Sequence, residues 1–166
     1  MDCTVTSPPF VLDDGIDYME WFAHVLTEIK RVTIDYAFIF NSSTRMNELC
    51  RKTNPFRTLI WYGGITQETF RYEPIFIYRM DSGRFNINSR IQRDVFPYSP
   101  PQPGERLHRD QNPPELYEEL IQITAAETIL DPFLGSGTTY KVCNKLGKKC
   151  IGFEIERKYL SFILAA

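Results

Sequence analysis

Between residues 18 and 29, Tyr18, Trp21, Phe22, Val25, Leu26 and Ile29 recur at steps of three and four, which puts them on one face of a helix. Asp13-Asp14 precede this stretch and Lys30-Arg31 follow it, each charge sign at the helix end that favours it. Elsewhere the apolar residues come in short runs. Residues 3–6, 34–40, 57–62, 74–78, 128–131 and 150–155 have the length and the β-branched or aromatic content of strands. Ser7-Pro8-Pro9 halts the first run, because two prolines cannot continue a ladder. Asn41-Ser42-Ser43 supplies a turn and a cap for a short helix through Arg51. Asn112-Pro113-Pro114-Glu115 sets another helix start, with Asn112 as cap and Pro113 at the first helical position, and Leu116, Leu120 and Ile121 carry its apolar face. A glycine loop, Gly135-Ser136-Gly137, leads into a helix over 138–146 that Gly147 ends. The alternation predicts an α/β fold with a mostly parallel sheet of about six strands and helices on both faces.

The chain has 166 residues, one domain's worth, with 43% apolar residues and a net charge of −2. That composition excludes disorder and bulk-charge attachment to nucleic acid, although a local basic face stays open. Arg84, Arg90, Arg93, Arg106 and Arg109 are nearly balanced by Asp81, Asp94, Glu105 and Asp110. Residues 81–107, rich in Pro, Ser, Asn and Arg, read as a connector or short recognition loop between a 1–80 half and a 108–166 half. Cys3, Cys50, Cys143 and Cys150 are dispersed and the histidines are two, His24 and His108, so no metal site is expected. No apolar run approaches bilayer length and no basic-then-apolar leader opens the chain; a cytoplasmic protein without membrane contact is expected.

Two segments carry chemistry. In the second half a strand ends at Asp131, glycines allow close backbone approach, a helix follows, and Glu154 on the next strand lies nineteen residues beyond Gly135. That is the layout of a nucleoside-cofactor site, in which an acid accepts from ribose hydroxyls. No Gly-Lys-Ser/Thr follows the glycines, and an acid at the strand end repels phosphate and suits a cationic group. S-adenosylmethionine, with its ammonium and sulfonium, fits better than ATP or a dinucleotide. In the first half, Ser7-Pro8-Pro9-Phe10 follows a strand end and offers a hydroxyl, carbonyls and a flat ring that can stack on a base. Taken alone it reads more readily as an ordinary Pro-Pro turn with a core phenylalanine than as an active site.

Thr6-Ser7-Pro8-Pro9-Phe10 followed by Asp131-Pro132-Phe133-Leu134-Gly135-Ser136-Gly137-Thr138-Thr139 resembles the amino-directed DNA methyltransferases, which methylate cytosine N4 or adenine N6. Their catalytic motif is (S/D/N)-P-P-(Y/F) and their cofactor motif D-P-F-x-G-S-G-T; the order here is that of the circularly permuted β class. His108, Gln111, Pro114 and Leu116 resemble the family's H-x-x-Q-x-P-x-x-L stretch, and Gly152-Phe153-Glu154 its ribose-binding segment. His108 stands equally well as a cofactor-pocket residue or as a joint between connector and helix.

The resemblance implies a Rossmann-like methyltransferase sheet and an S-adenosylmethionine-dependent enzyme acting on double-stranded DNA, of restriction-modification type. It implies that Ser7, Pro8, Pro9 and Phe10 are catalytic, the Ser7 hydroxyl and Pro8 carbonyl holding the target amine and Phe10 stacking on a flipped base. Asp131, Phe133, Gly135, Ser136, Gly137, Thr138 and Glu154 would bind the cofactor, and Trp61 and Tyr62 would border the target-base pocket. Serine at the first motif position favours cytosine N4 over adenine N6. Ring methylation at C5 needs a cysteine nucleophile, and Cys3 lies on the strand before the loop. The chain opens almost at the catalytic strand, so the family's preceding strand is expected to be missing, with residues 150–155 at an exposed edge. Recognition is then expected from a loop, a homodimer or a partner. A reduced, non-catalytic DNA- or protein-binding relative, and a methyltransferase acting on RNA or protein, are the competing readings.

Overall fold

A computed structural model of the chain describes residues 1–63, 72–80, 87–102, 104 and 111–164. Its elements run β1 (Cys3–Thr6), α1 (Tyr18–Val32), β2 (Tyr36–Phe40), α2 (Met46–Thr53), β3 (Arg57–Tyr62), β4 (Tyr72–Arg79), β5 (Val95–Phe96), α3 (Pro114–Ile123), β6 (Thr128–Asp131), α4 (Thr138–Lys145), β7 (Lys149–Gly152) and α5 (Arg157–Leu164). The strands form one sheet in the order β5-β3-β4-β2-β1-β6-β7, in which β4 alone runs against its neighbours. The α/β class is as expected, and the sheet has seven strands rather than about six. The additional one, β5, comes from the 81–107 connector and extends the β3 edge, not the β7 edge where a strand was expected to be missing.

Alternation along the strands builds two cores. Tyr36, Phe38 and Phe40 of β2, with Ile75 and Ile77 of β4, face α3 and α4, packing with Leu116, Leu120, Val142 and Cys143. Ala37, Ile39, Phe76 and Tyr78 face the other way, onto Phe22, Leu26 and Ile29 of α1 and Leu49 of α2. The helices thus cover both faces.

Element ends differ from the sequence reading for local reasons. Ile34 and Asp35 donate to the Met1 and Asp2 carbonyls before the β2 ladder begins. Asn112 is not the α3 cap: Pro113 takes that position, Pro114 is the first helical residue, and the buried Asn112 amide donates to the Tyr117 hydroxyl at 3.2 Å. β7 stops at Gly152, earlier than residue 155, because the chain folds over the strand end, with Phe153 N–H donating to Asp131 O and Leu134 N–H to Phe153 O. As expected, β7 is an edge strand, and Ile151, Phe153 and Ile155 beside it are exposed.

β1 and β6 lie side by side and parallel, yet β1 continues through α1 to β2 on one side while β6 continues through α4 to β7 on the other. Their carboxyl ends therefore open into the crevice that forms where strand order reverses, the ligand-binding position of open α/β sheets. Gly137, with φ of 83°, turns the chain from this crevice into α4. A Cβ there would meet Ile163 Cγ1 at 2.9 Å. Gly137→Ala is expected to destabilise the fold by roughly 1–3 kcal/mol, from the left-handed backbone and the displaced α5 side chain, read as a lower urea midpoint.

Candidate active site

The two motif segments meet through a hydrogen bond between strand ends. Thr6 Oγ1 at the end of β1 donates to Asp131 Oδ1 at the end of β6 at 2.6 Å, and both residues are buried. Phe133 N–H donates to the same oxygen at 3.1 Å, and Thr139 Oγ1, in the first turn of α4, donates to Oδ2 at 2.5 Å. Burial pushes the Asp131 carboxyl up to about 6; these three hydrogen bonds oppose the rise and the nearby Glu154 charge adds to it.

Above this junction is a cavity of about 900 Å³. Ser7, Pro8, Pro9 and Phe10 form one wall; Asp131, Phe133, Gly135, Ser136 and Thr138 form the floor; Glu154 and Tyr159 stand opposite. Gln111, Asn112 and Tyr117 contribute a third side. Glu154 reaches back over the glycine loop: its Oε2 accepts from Gly135 N–H and its Oε1 from Glu156 N–H, each at 2.7 Å. Gly135 has φ of 55°, which brings its N–H round to that carboxylate. Among the described residues of the lining, the charged side chains are Asp131, Glu154 and Glu156, all acids. An all-acid lining with flat rings and glycine backbone fits a cationic nucleoside better than a phosphate.

Four residues of the Ser-Pro-Pro-Phe segment and six of the seven expected cofactor residues thus share one cavity. Gly137 lies behind it as the hinge into α4. Trp61 and Tyr62 do not line it. Trp61 is buried in the α3 and α4 core and donates its indole N–H to Tyr98 O at 2.7 Å; Tyr62 is half-buried at the end of β3, at the same end of the sheet but three strands from β1. His108 and the arginines 84, 106 and 109 lie outside the described residues, whereas Arg93 pairs with Glu119. Cys3 is buried within β1, and burial pushes its thiol up, so it presents no thiolate.

Two features escaped the sequence reading. Thr6 and Thr139 were legible as motif members but not as the donors that hold Asp131; a threonine in a buried strand end opposite an acid was the available signal. Trp21, on the apolar face of α1, is only half-buried and packs its ring 5.9 Å from Phe133, so α1 braces the cofactor-side loop.

Comparison with known proteins finds similar sequences over part of the chain and a similar fold over nearly all of it. A family model described as DNA methylase, of the N6/N4 type, matches residues 84–165. The chain is 46% identical over 55 residues to Type II methyltransferase M2.LlaDCHI of Lactococcus lactis subsp. cremoris, covering 32% of this chain and 20% of the relative. It is 42% identical over 59 residues to Type II methyltransferase M.HpaI of Haemophilus parainfluenzae, covering 34% of this chain and 19% of that one. The matched stretch therefore spans about a fifth of the length of these curated relatives. Its fold is that of the M1.HpyAVI–SAM complex (TM-score 0.73, 21% identity, 99% of this chain and 88% of the other). The PvuII DNA methyltransferase, described as cytosine-N4-specific, shares it too (TM-score 0.78, 15% identity, 99% and 78%). With the family model over its second half, the local identity to Type II methyltransferases and the motif pair on one cavity, the chain belongs to the N6/N4 amino-group DNA methyltransferase family.

Proposed function

We propose that this chain methylates an exocyclic amino group in double-stranded DNA, and that the group is N4 of cytosine. The observation that carries the reading is the Thr6–Asp131 hydrogen bond, which fastens the Ser-Pro-Pro-Phe segment and the acid–glycine segment to one cavity. S-adenosylmethionine, when bound, supplies an electrophilic methyl group. Asp131 and the backbone at Gly135 and Ser136 would hold its amino-acid part, Glu154 its ribose, and Phe133 and Thr138 the remaining contacts, with Gly137 setting the turn.

The chain's remaining task concerns the amine. An exocyclic amino group is a poor nucleophile because its lone pair is delocalised into the ring. The Ser7 hydroxyl and the Pro8 carbonyl can accept its two N–H bonds and so favour a pyramidal nitrogen, and Pro9 fixes φ in the loop that presents them. Phe10 offers its ring to the displaced base, and Tyr62, half-buried at the same end of the sheet, would border it from further along. No covalent enzyme intermediate is required, so positioning accounts for the rate. The serine at position 7 supports cytosine over adenine. A net charge of −2 supports contact with DNA through a local face, a second copy or a recognition partner.

Nucleoside mass spectrometry of DNA from cells producing the chain tests this directly. N4-methylcytosine is the expected product. N6-methyladenine would replace the cytosine assignment, and absence of both, with no transfer to duplex DNA by the purified chain, would overturn the enzymatic reading in favour of a non-catalytic binding relative.

A further inference from the structure

The loop from Ser7 to Leu12 has an anchoring problem. Two of its residues are prolines with no N–H, so it cannot secure itself by ordinary turn hydrogen bonds. Among the described residues, one hydrogen bond reaches this stretch: Arg45 Nη1 donates to the Phe10 carbonyl at 2.7 Å. Arg45 is itself held. Its guanidinium lies over the Tyr18 ring, 4.0 Å from the centroid, and the Tyr18 hydroxyl accepts from the Asn41 amide at 2.8 Å. Asn41 is fully buried at the end of β2; its Oδ1 accepts from Ser42 N–H, and its backbone N–H donates to Pro74 O. A rigid path therefore runs from the sheet through Asn41, Tyr18 and Arg45 to the backbone of the loop.

We propose that Arg45 is a positioning residue that fixes the Ser-Pro-Pro-Phe loop in its working shape through the Phe10 carbonyl, a role that rests on the methyltransferase reading of the cavity. Arg45 touches neither base nor cofactor in this scheme. It sets the direction of the Phe10 ring and, through the intervening prolines, the placement of the Ser7 hydroxyl and Pro8 carbonyl. The guanidinium suits the task because one plane can stack on Tyr18 while an edge N–H points at a carbonyl. Lysine keeps the charge and one donor but gives up the stacked plane. Loss of the anchor would leave the cofactor floor intact, since Asp131, the glycine loop and Glu154 are held by separate hydrogen bonds.

The test uses two variants, Arg45→Met, which keeps an apolar stem over Tyr18 and removes the donor, and Arg45→Lys. Each is prepared with 4-fluorophenylalanine at position 10 and examined by ¹⁹F NMR without cofactor. One narrow resonance is expected for the parent, a broadened or divided one for Arg45→Met, and an intermediate line for Arg45→Lys, with melting temperatures close to the parent's. In methyl transfer, Arg45→Met should lower kcat roughly ten- to hundred-fold, with KM for S-adenosylmethionine within about two-fold and partial recovery in Arg45→Lys. An unchanged resonance in Arg45→Met, or kcat within two-fold of the parent, overturns the proposal. Should Arg45→Met lose its helical circular dichroism, Arg45→Ala takes its place with the same expected line. A parent without methyl transfer refutes the enzymatic reading alone, because the ¹⁹F line still decides whether Arg45 holds the loop.

Discussion

Asp131→Asn is expected to weaken S-adenosylmethionine binding at pH 8 by ten- to hundred-fold while leaving the protein at least as stable as the parent. Stability and binding separate here because burial works against one and for the other. The Asp131 carboxyl titrates near 6 in the folded chain, above its ordinary 3.8, since desolvation outweighs three hydrogen bonds. A carboxyl with a raised value favours the fold in its protonated form; that contribution is fully present below about pH 3.8 and is lost as pH rises through 6. Near neutral pH the charge therefore disfavours the fold by an amount on the order of 3 kcal/mol, which asparagine removes while keeping groups for Thr6 and Thr139 to bond. The same charge is what an ammonium on the ligand would use, at about 1.5–3 kcal/mol for a charged hydrogen bond. Calorimetric titration at pH 8 and 5.5 checks the pair of effects: parental affinity should fall on acidification as Asp131 protonates, and the variant's should stay level. Equal affinity of variant and parent at pH 8 would remove Asp131 from the cofactor site.

Phe10→Ala should have the complementary signature, lowering kcat/KM for duplex DNA by roughly five- to hundred-fold while cofactor affinity stays within two-fold. The ring is half-buried, packs against the α3 and α4 core and lines the cavity beside Ser7 and Pro8, so it is rigid and presented to the ligand space. Stacking of a nucleobase on such a ring contributes about 1–3 kcal/mol, and a base taken out of a duplex needs that compensation. Phe10→Tyr, which keeps the aromatic face, should recover most of the rate. If Phe10→Ala instead weakens cofactor binding and leaves the response to DNA concentration unchanged, the ring belongs to the cofactor side.

The sequence was most informative where physical demands are local. Tyr18 to Ile29 repeats with helical period because one face of α1 packs on the sheet, and the apolar runs of β2 and β6 are continuous because both of their faces are covered. The glycine loop and the acid beyond it were legible for a similar reason, since tight turns and close approach leave few residue choices. Long-range demands were harder to see. β5 is two residues of a connector rich in Pro, Ser, Asn and Arg, and only pairing with β3 makes it a strand. Asn112 reads as a cap from its neighbours, but the buried Tyr117 hydroxyl takes its amide and the helix starts one residue later. The family resemblance puts Trp61 at the wall of the base pocket, whereas the core occupies the ring and Tyr98 its N–H. Arg45 lies thirty-five residues from the carbonyl it holds, and nothing in its immediate sequence signals that partner.

The central position of β1 bears on how the molecule is made. Its neighbour β2 leaves the ribosome soon after it, but its other neighbour, β6, follows only after most of the chain; the Thr6–Asp131 contact closes a separation of 125 residues and the Asp2–Thr128 contact one of 126. Until β6 arrives, a partial sheet of β1 to β5 carries one flank of β1 as an open edge, and α4 is not yet there to cover its share of one face. Such a nascent intermediate is prone to edge pairing, and ordered ligand space can exist only after the last third of the chain has docked. Cofactor binding would thus require β6 and the glycine loop to be in place: a polypeptide interrupted before β6 retains Ser7 to Phe10 but has no floor on which a ligand could rest.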